Sequence, residues 1–122
     1  MLKGNFYNLN NLKAEGNSVT ATLELNPAHE IFKGHFPGQP VVPGVCLMQM
    51  VKEVLQEALK TEIRFKKATN LKFINPVDPN QSPILGLTLN YKQTEEGQIS
   101  INGNMQAGDI ICFKFQELFE LV

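Results

Sequence analysis

Residues 34–60 read GHFPGQPVVPGVCLMQMVKEVLQEALK, a loop-like segment that runs directly into a helix-like one. Six of the eleven residues at 34–44 are Gly or Pro, a composition that neither a helix nor a strand tolerates. The same segment contains Phe36, Val41 and Val42, so we expect an ordered, packed loop. Pro43 and Gly44 suit the first turn of the helix that follows.

The predicted helix ends between residues 60 and 62. Six of the seven residues 45–51, VCLMQMV, are apolar, which indicates a helix whose first two turns are enclosed by the protein on all sides. Gln49 is the one polar residue among them, so its burial requires a hydrogen-bond partner. Beyond residue 51 the apolar and charged residues separate onto opposite faces, and Glu53 falls on the face expected to meet water.

The rest of the sequence predicts strands. Residues 18–26, SVTATLELN, alternate between apolar and polar as a half-buried strand does, and Pro27 ends the pattern. Segments around 65–75, 85–91, 99–105 and 110–119 predict further strands, and short turns join the last three into an antiparallel meander. We therefore expect an α+β fold, a single domain over residues 1–122 in which an antiparallel sheet wraps around a long central helix. The free edges of so small a sheet predict a dimer.

Composition excludes several classes of protein. A net charge of −1 argues against general nucleic-acid binding, and no apolar run is long enough to span a bilayer. Residues 1–16 lack the apolar core of a signal peptide, so a cytoplasmic protein is predicted. Cys46 and Cys112 have no metal-binding spacing and lie among apolar residues, which favours small core side chains over a metal site or a disulfide.

His35 is the candidate catalytic residue, because it lies in the loop directly before the apolar helix. An imidazole beside an apolar pocket can act as a base near neutral pH. The start of the helix offers unpaired backbone N–H groups at Gly44 and Val45, which suit a carbonyl oxygen that gains negative charge. Together these groups suit removal of a proton alpha to a thioester. The alternative is that His35 only hydrogen-bonds within the loop, and His29 is predicted to be a loop or packing residue.

The segment GHFPGQPVVPGV, residues 34–45, resembles the signature of the 3-hydroxyacyl-[acyl carrier protein] dehydratases, the family of FabZ and FabA. The likeness extends more loosely from about residue 18 to the end, through KKATNLKFINPVDPNQ and NGNMQAGDIICFKFQ. It implies the hot-dog fold and a homodimer, or a heterodimer with a homologous chain, with active sites between subunits. It also implies dehydration of a 3-hydroxyacyl thioester to the trans-2-enoyl thioester. The substrate arrives on the phosphopantetheine arm of acyl carrier protein, and no other cofactor or metal is expected.

The resemblance also implies a role for each site residue. His35 matches the catalytic histidine, and the amides of Gly44 and Val45 match those that hold the thioester carbonyl. The acyl tunnel is expected to be shaped by Phe36, Val41 and Val42. The acid of the family lies five positions after the Gly of PGV, and that position is Gln49 here. An amide cannot donate this proton, and loss of a general acid typically costs about 10²–10⁴ in rate.

Gln49 leaves several interpretations open. In the first, another group supplies the proton, such as Glu53 one turn further along or a water relayed by His35. In the second, the reaction is slow. Alternatively, the chain is a catalytically impaired subunit that pairs with a complete homologue. A hot-dog thioesterase would use the same carbonyl cradle with an activated water. The short N-terminal segment, compared with the common fatty-acid enzymes, favours specialised acyl or polyene biosynthesis.

Overall fold

Six strands and two helices make up the fold in the computed structural model, which describes residues 2–34, 40–94 and 96–122. The strands form one antiparallel sheet in the order β1-β2-β4-β5-β6-β3. The predicted α+β architecture and the β4–β5–β6 meander are confirmed. The elements are β1 (Tyr7–Glu15), β2 (Ser18–Leu25), α1 (Ile31–Gly34), α2 (Gly44–Leu59), β3 (Ile63–Phe73), β4 (Ile84–Gln93), β5 (Gln98–Ala107) and β6 (Ile110–Leu121).

Helix α2 begins and ends for identifiable local reasons. Pro43 is extended, with φ −60° and ψ 143°, and the helix starts at Gly44. At the other end Lys60 adopts the left-handed conformation, and its N–H donates to the Gln56 carbonyl. The side of α2 that packs on the sheet is apolar and buried, through Leu47, Met50, Val51, Val54 and Leu55. Of the helices in the described segments, none is long and apolar enough to cross a bilayer.

The prediction that the first two turns of α2 are enclosed on all sides is wrong for this chain. Val45 is 73% exposed, and Met48, Gln49 and Lys52 are half-buried. These four residues, spaced three, four and seven positions from Val45, form one stripe along the helix, which we call the exposed stripe. The sheet covers the opposite side of α2 and leaves this stripe uncovered among the described residues.

Two elements were not predicted from the sequence. Strand β1 pairs with β2 along one edge of the sheet, but its register shifts between Asn10 and Lys13, where Asn11 has a φ of 51°. Such a bulge breaks the two-residue alternation, so Leu9 and Leu12 do not stand out as one face. Helix α1 spans one turn, which is too short for helical periodicity to be visible.

Strand β3 forms the opposite edge and is mostly exposed. Its pairing with β6 shifts register between Phe65 and Lys67 and again between Ala68 and Asn70. Bulges and edge lysines are features that limit uncontrolled pairing of a sheet edge. Phe65 and Phe73 are nevertheless large exposed apolar side chains at this edge, on the same side of the molecule as the start of α2.

Candidate active site

The loop before α2 is described only from residue 40 onward, so the predicted site residues His35 and Phe36 lie outside the described residues. Val41 is half-buried, and Val42 is buried in the core. The Val42 N–H donates to the Val77 carbonyl at 2.9 Å, which ties the end of the loop to the segment after β3. The part of the loop next to the helix is therefore ordered and packed, as predicted.

A cleft of about 600 Å³ lies at the start of α2. It brings together three predicted substrate-binding residues, Val42, Gly44 and Val45, with the ring of Phe73. A Cβ atom at Gly44 would come within 2.9 Å of that ring, so glycine is what allows Phe73 to lie against the helix start. The ring is held from behind by Phe113, stacked at 4.7 Å and nearly parallel.

The backbone amides of Gly44 and Val45 are the first two of α2. The next two amides, those of Cys46 and Leu47, both donate to the Pro43 carbonyl, at 2.9 and 3.2 Å. Pro43 supplies no capping side chain, and within the described segments neither Gly44 nor Val45 N–H has an acceptor. Two free donors at the positive end of a helix dipole can hold an oxygen that becomes negative.

A smaller pocket of about 180 Å³ adjoins this cleft, because Val45 and Met48 line both. Its other walls come from the exposed stripe and from the two strands beside α2, through Gln49, Lys52, Phe65, Glu117 and Phe119. The start of the helix and Gln49 thus belong to one continuous depression. We call the smaller part the Gln49 pocket.

The side-chain amide of Gln49 has a defined orientation. Its Nε2 donates to Glu53 Oε2 at 2.9 Å, which confirms that this residue has a hydrogen-bond partner. A carboxylate only accepts hydrogen bonds, so the amide nitrogen must face Glu53 and the carbonyl oxygen is directed elsewhere. Among the described residues that carbonyl oxygen has no donor, and Gln49 is one of the residues that line the Gln49 pocket.

Glu53 was expected to meet water, and that expectation is wrong: the residue is 2% exposed. Its carboxylate also accepts hydrogen bonds from the Leu2 amide at 2.8 Å, the Lys3 amide at 2.9 Å and the Tyr7 hydroxyl at 3.0 Å. With Gln49 this gives four donors, which compensate for the removal of the charge from water. Glu53 thereby attaches the N-terminal segment to the middle of α2.

The same hydrogen bonds decide the charge of Glu53. Burial by itself would raise the pKa of its carboxyl group, but the bonds from Leu2, Gln49, Lys3 and Tyr7 outweigh burial and lower that pKa. In turn, burial and the neighbouring Glu53 carboxylate raise the pKa of the Tyr7 hydroxyl well above its ordinary value. The lowered pKa favours the ionised form of Glu53, which argues against Glu53 as the substitute acid.

Glu117 is the second buried carboxylate, 2% exposed, and sequence analysis missed it. Within the described part of the chain neither of its oxygens has a hydrogen-bond partner, and burial raises its pKa to about 7. A signal was present in the sequence. Alternation along β6 places Glu117 in line with the buried Phe113, Phe115 and Phe119, so a carboxylate interrupts an otherwise aromatic face.

The other histidine has a structural role, as predicted. His29 Nδ1 accepts a hydrogen bond from the Ile31 amide at 3.1 Å, and its ring packs edge-on against Phe6 at 5.3 Å. In the segments that the structure describes, no three His, Cys, Asp or Glu side chains converge as a metal site would require. Cys46 and Cys112 are buried, reduced side chains of the core.

A family model described as ApeI-like, ApeI dehydratase, matches residues 11–111. The chain belongs to the ApeI-like dehydratase family. Among curated proteins it is 27% identical to the 3-hydroxyacyl-[acyl-carrier-protein] dehydratase FabZ of Hydrogenobaculum sp., over 84% of this chain and 78% of that protein. The FabZ of Enterococcus faecalis is 32% identical, over 61% of this chain and 57% of that protein. The resemblance to these dehydratases is confirmed.

A solved structure shows the fold of this ApeI-like chain. The dehydratase heterocomplex ApeI:P from Xenorhabdus doucetiae superposes with a TM-score of 0.69 and 22% identity, covering 93% of this chain and 97% of the other. The likeness confirms the predicted hot-dog fold, in which the antiparallel sheet packs around α2.

The described geometry of the ApeI-like chain provides two separate chemical functions. The Gly44 and Val45 amides can hold a carbonyl oxygen in an apolar cleft, and the Gln49 pocket holds an oriented amide and the unpartnered Glu117 carboxyl group. A reaction that stabilises negative charge on one oxygen and moves a proton nearby uses both.

Proposed function

We propose that this chain removes water from a 3-hydroxyacyl thioester, delivered on the phosphopantetheine arm of acyl carrier protein, to give the trans-2-enoyl thioester. The observation that carries the proposal is the start of α2, where the Gly44 and Val45 amides without acceptors border an apolar cleft. Membership of the ApeI-like family and the likeness to FabZ proteins support the reaction type.

Binding is proposed to begin with the thioester carbonyl. Its oxygen accepts hydrogen bonds from the two amides, and the helix dipole favours the negative charge that it acquires. The apolar walls of the cleft, Val42 and Phe73 among them, then hold the adjoining methylene groups and exclude water. These contacts lower the free energy of the enolate-like transition state.

The proposed base is His35, which removes the proton from C2 of the bound substrate. As electrons move into the C2–C3 bond, the C3–O bond breaks, and the hydroxyl group requires a proton to leave as water. The Gln49 carbonyl oxygen, turned away from Glu53, accepts a hydrogen bond from this hydroxyl group and orients it. Gln49 itself cannot supply the proton.

A direct assay tests this function. The purified protein is incubated with 3-hydroxyacyl carrier-protein substrates of saturated and polyene chains, and with a crotonyl thioester in the hydration direction. We expect enoyl product, and a loss of at least about 10²-fold in kcat for His35→Ala. His29→Ala is the matched control, because it removes the structural histidine and should retain activity. Failure to turn over any of these substrates would contradict the proposal.

A second candidate function is a subunit that works with a complete homologous dehydratase. The specific observation behind it is the exposed stripe, where Val45 and Met48 present apolar surface next to the Gln49 pocket. The similar structure from Xenorhabdus doucetiae is named as a heterocomplex. In such a pair the homologue would cover the stripe and contribute the carboxylic acid that Gln49 replaces.

Pairing is measured by native mass spectrometry, on the chain alone and mixed with a homologous dehydratase that keeps an acid at the Gln49 position. We expect Val45→Asp to prevent association with either partner, because it places a charge in the centre of an apolar contact. Thr20→Asp, on the exposed side of β2, is the control. A monomer under all conditions would eliminate both kinds of pairing.

A further inference from the structure

Glu117 is a buried acid without a described structural partner, and it lies beside the position where the family acid is missing. It and Gln49 line the same pocket of about 180 Å³, Glu117 from β6 and Gln49 from α2. Its two neighbours across the sheet are Ala68 on β3 and Ile101 on β5, neither of which offers a polar group. Burial of an unpaired carboxyl group lowers stability, so its position calls for a functional explanation.

We propose that Glu117 is the general acid of this site and protonates the departing 3-hydroxyl group from the pocket that it shares with Gln49. This inference rests on the dehydration proposed above. Gln49 on α2 then orients the 3-hydroxyl group by a hydrogen bond, while Glu117 on β6 supplies the proton. The orienting hydrogen bond and the proton donation are thus divided between Gln49 on α2 and Glu117 on β6.

The step is balanced in atoms and charge. His35 takes the C2 proton and becomes an imidazolium, and the C2–H electron pair forms the C2–C3 double bond. The C3–O bond breaks as the Glu117 carboxyl group gives its proton to the leaving oxygen, so that water and a carboxylate result. After the products leave, the imidazolium returns a proton to the carboxylate through solvent.

The surroundings of Glu117 keep a proton available near neutral pH. Burial raises its pKa to about 7, in the range where an acid both holds a proton and releases it during a reaction. Among the described residues, Lys52 on α2 is the charged side chain that lines the same pocket, and Phe65 of β3 and Phe119 of β6 complete the apolar walls. Glu53, on the neighbouring helix turn, is already occupied by its four donors.

The experiment compares wild type, Glu117→Gln, Glu120→Gln and the double variant Gln49→Glu/Glu117→Gln in steady-state dehydration across pH. Glutamine keeps the shape of the buried side chain but has no acidic proton. Glu120 is the matched control, because it lies on the same strand but pairs with Arg64 on the exposed side of β3 and β6. Circular dichroism is recorded for each variant to check that it is folded.

We expect Glu117→Gln to lower kcat by about 10²–10⁴ with little change in KM, while Glu120→Gln keeps the wild-type rate. Wild-type kcat should decline above pH about 7 as Glu117 loses its proton, and Glu117→Gln should lack that decline. The double variant should recover at least about 10-fold, because a carboxyl group is restored at the helix position.

The outcomes separate this inference from the function on which it rests. If wild type and Glu117→Gln turn over at the same rate while His35→Ala is inactive, the protein is a dehydratase and Glu117 is not its acid. If wild type forms no enoyl product with any substrate, the dehydration proposal fails and the assignment of Glu117 fails with it.

Discussion

Glu53 and Glu117 are equally buried, each 2% exposed, yet hydrogen-bond donors surround Glu53, while Glu117 has no hydrogen-bond partner among the described residues. Four donors converge on Glu53 and lower its pKa, whereas the described residues give Glu117 none and its pKa rises to about 7. Burial alone therefore does not set the charge of a carboxyl group, because the donors around it decide which form is stable. Glu53 is held by the fold, and Glu117 is the carboxyl group to which we assign the chemical step.

The difference has a spatial basis. Glu53 joins three chain positions that are about fifty residues away, Leu2, Lys3 and Tyr7, to the middle of α2. Glu117 lies on β6 and lines the same pocket as the four residues of the exposed stripe. Glu53 thus attaches the N-terminal segment to α2, while Glu117 lies beside the exposed stripe.

Removing Glu53 tests the architectural side of this comparison and should have the largest effect. Glu53→Ala leaves the Tyr7 hydroxyl and two backbone amides without their acceptor, and we expect a loss of about 4 kcal/mol in the free energy of unfolding. Urea unfolding measures it. The control is Glu57→Ala, one turn further along α2, whose exposed pair with Lys3 should contribute at most about 0.5 kcal/mol. Equal losses for the two variants would contradict the anchoring role.

The pH dependence of stability tests the other carboxylate. Because the pKa of Glu117 rises from 4.5 to about 7 on folding, the unfolded chain releases this proton first, and stability falls as the pH increases between those values. At about 1.4 kcal/mol per pKa unit, the loss approaches about 3 kcal/mol. Urea unfolding of wild type and Glu117→Gln should therefore diverge across this window, with the variant increasingly the more stable. Parallel curves would show that Glu117 has a partner in solution.

The fold could be predicted from the sequence wherever apolar–polar alternation occurs together with short turns. Alternation with short turns located β4, β5 and β6, and the Gly- and Pro-rich segment located the start of α2 within a residue. Strand β1 was missed because the bulge between Asn10 and Lys13 breaks its alternation. The exposed stripe was mistaken for a fully enclosed helix surface, because apolar composition alone does not show which sides of a helix the sheet covers.

The candidate site could be predicted only in part, because some of its features depend on contacts between residues that are distant in the sequence. The motif pointed to the Gly44 and Val45 amides and to Gln49, which are local features. The burial of Glu53 depends on Leu2, Lys3 and Tyr7, near the N-terminus, and the amphipathic pattern of α2 contains no information about those residues. Glu117 was visible in the alternation of β6, but its neighbours Lys114 and Gln116 made one more polar residue look ordinary.

Gln49→Glu would place a second carboxyl group beside Glu53 and so test how a carboxylate responds when it loses a donor. The introduced carboxyl group would lie against the ionised Glu53, in place of the amide that now donates to it at 2.9 Å. Like charges at this distance cannot both form without cost, so the pair should share a proton, and one pKa should rise. We expect a loss of about 2 kcal/mol near pH 8 that disappears on acidification, measured by urea unfolding. Gln56→Glu on the same helix is the control, because its oxygen already accepts from the Ile63 amide and a carboxylate can do the same.

Tyr7→Phe removes a single donor from Glu53 and gives the finest test of how donors set its charge. We expect a loss of about 1 kcal/mol, since the carboxylate keeps three of its four hydrogen bonds. The folded-state pKa of Glu53 should move back toward its ordinary value. A carboxyl group with a lowered pKa stabilises the fold above its unfolded-state pKa and loses that contribution as the pH falls. The acid-induced loss of stability in Tyr7→Phe should therefore be smaller than in wild type and complete at a higher pH.

Tyr91→Phe is the control, because its hydroxyl group donates an exposed hydrogen bond to the Gly16 carbonyl at 3.3 Å. It should leave the acid limb of the stability curve, the part where stability falls with pH, unchanged. If both variants showed the wild-type acid limb, the backbone amides of Leu2 and Lys3, rather than the side-chain donors, would hold Glu53 in its ionised form.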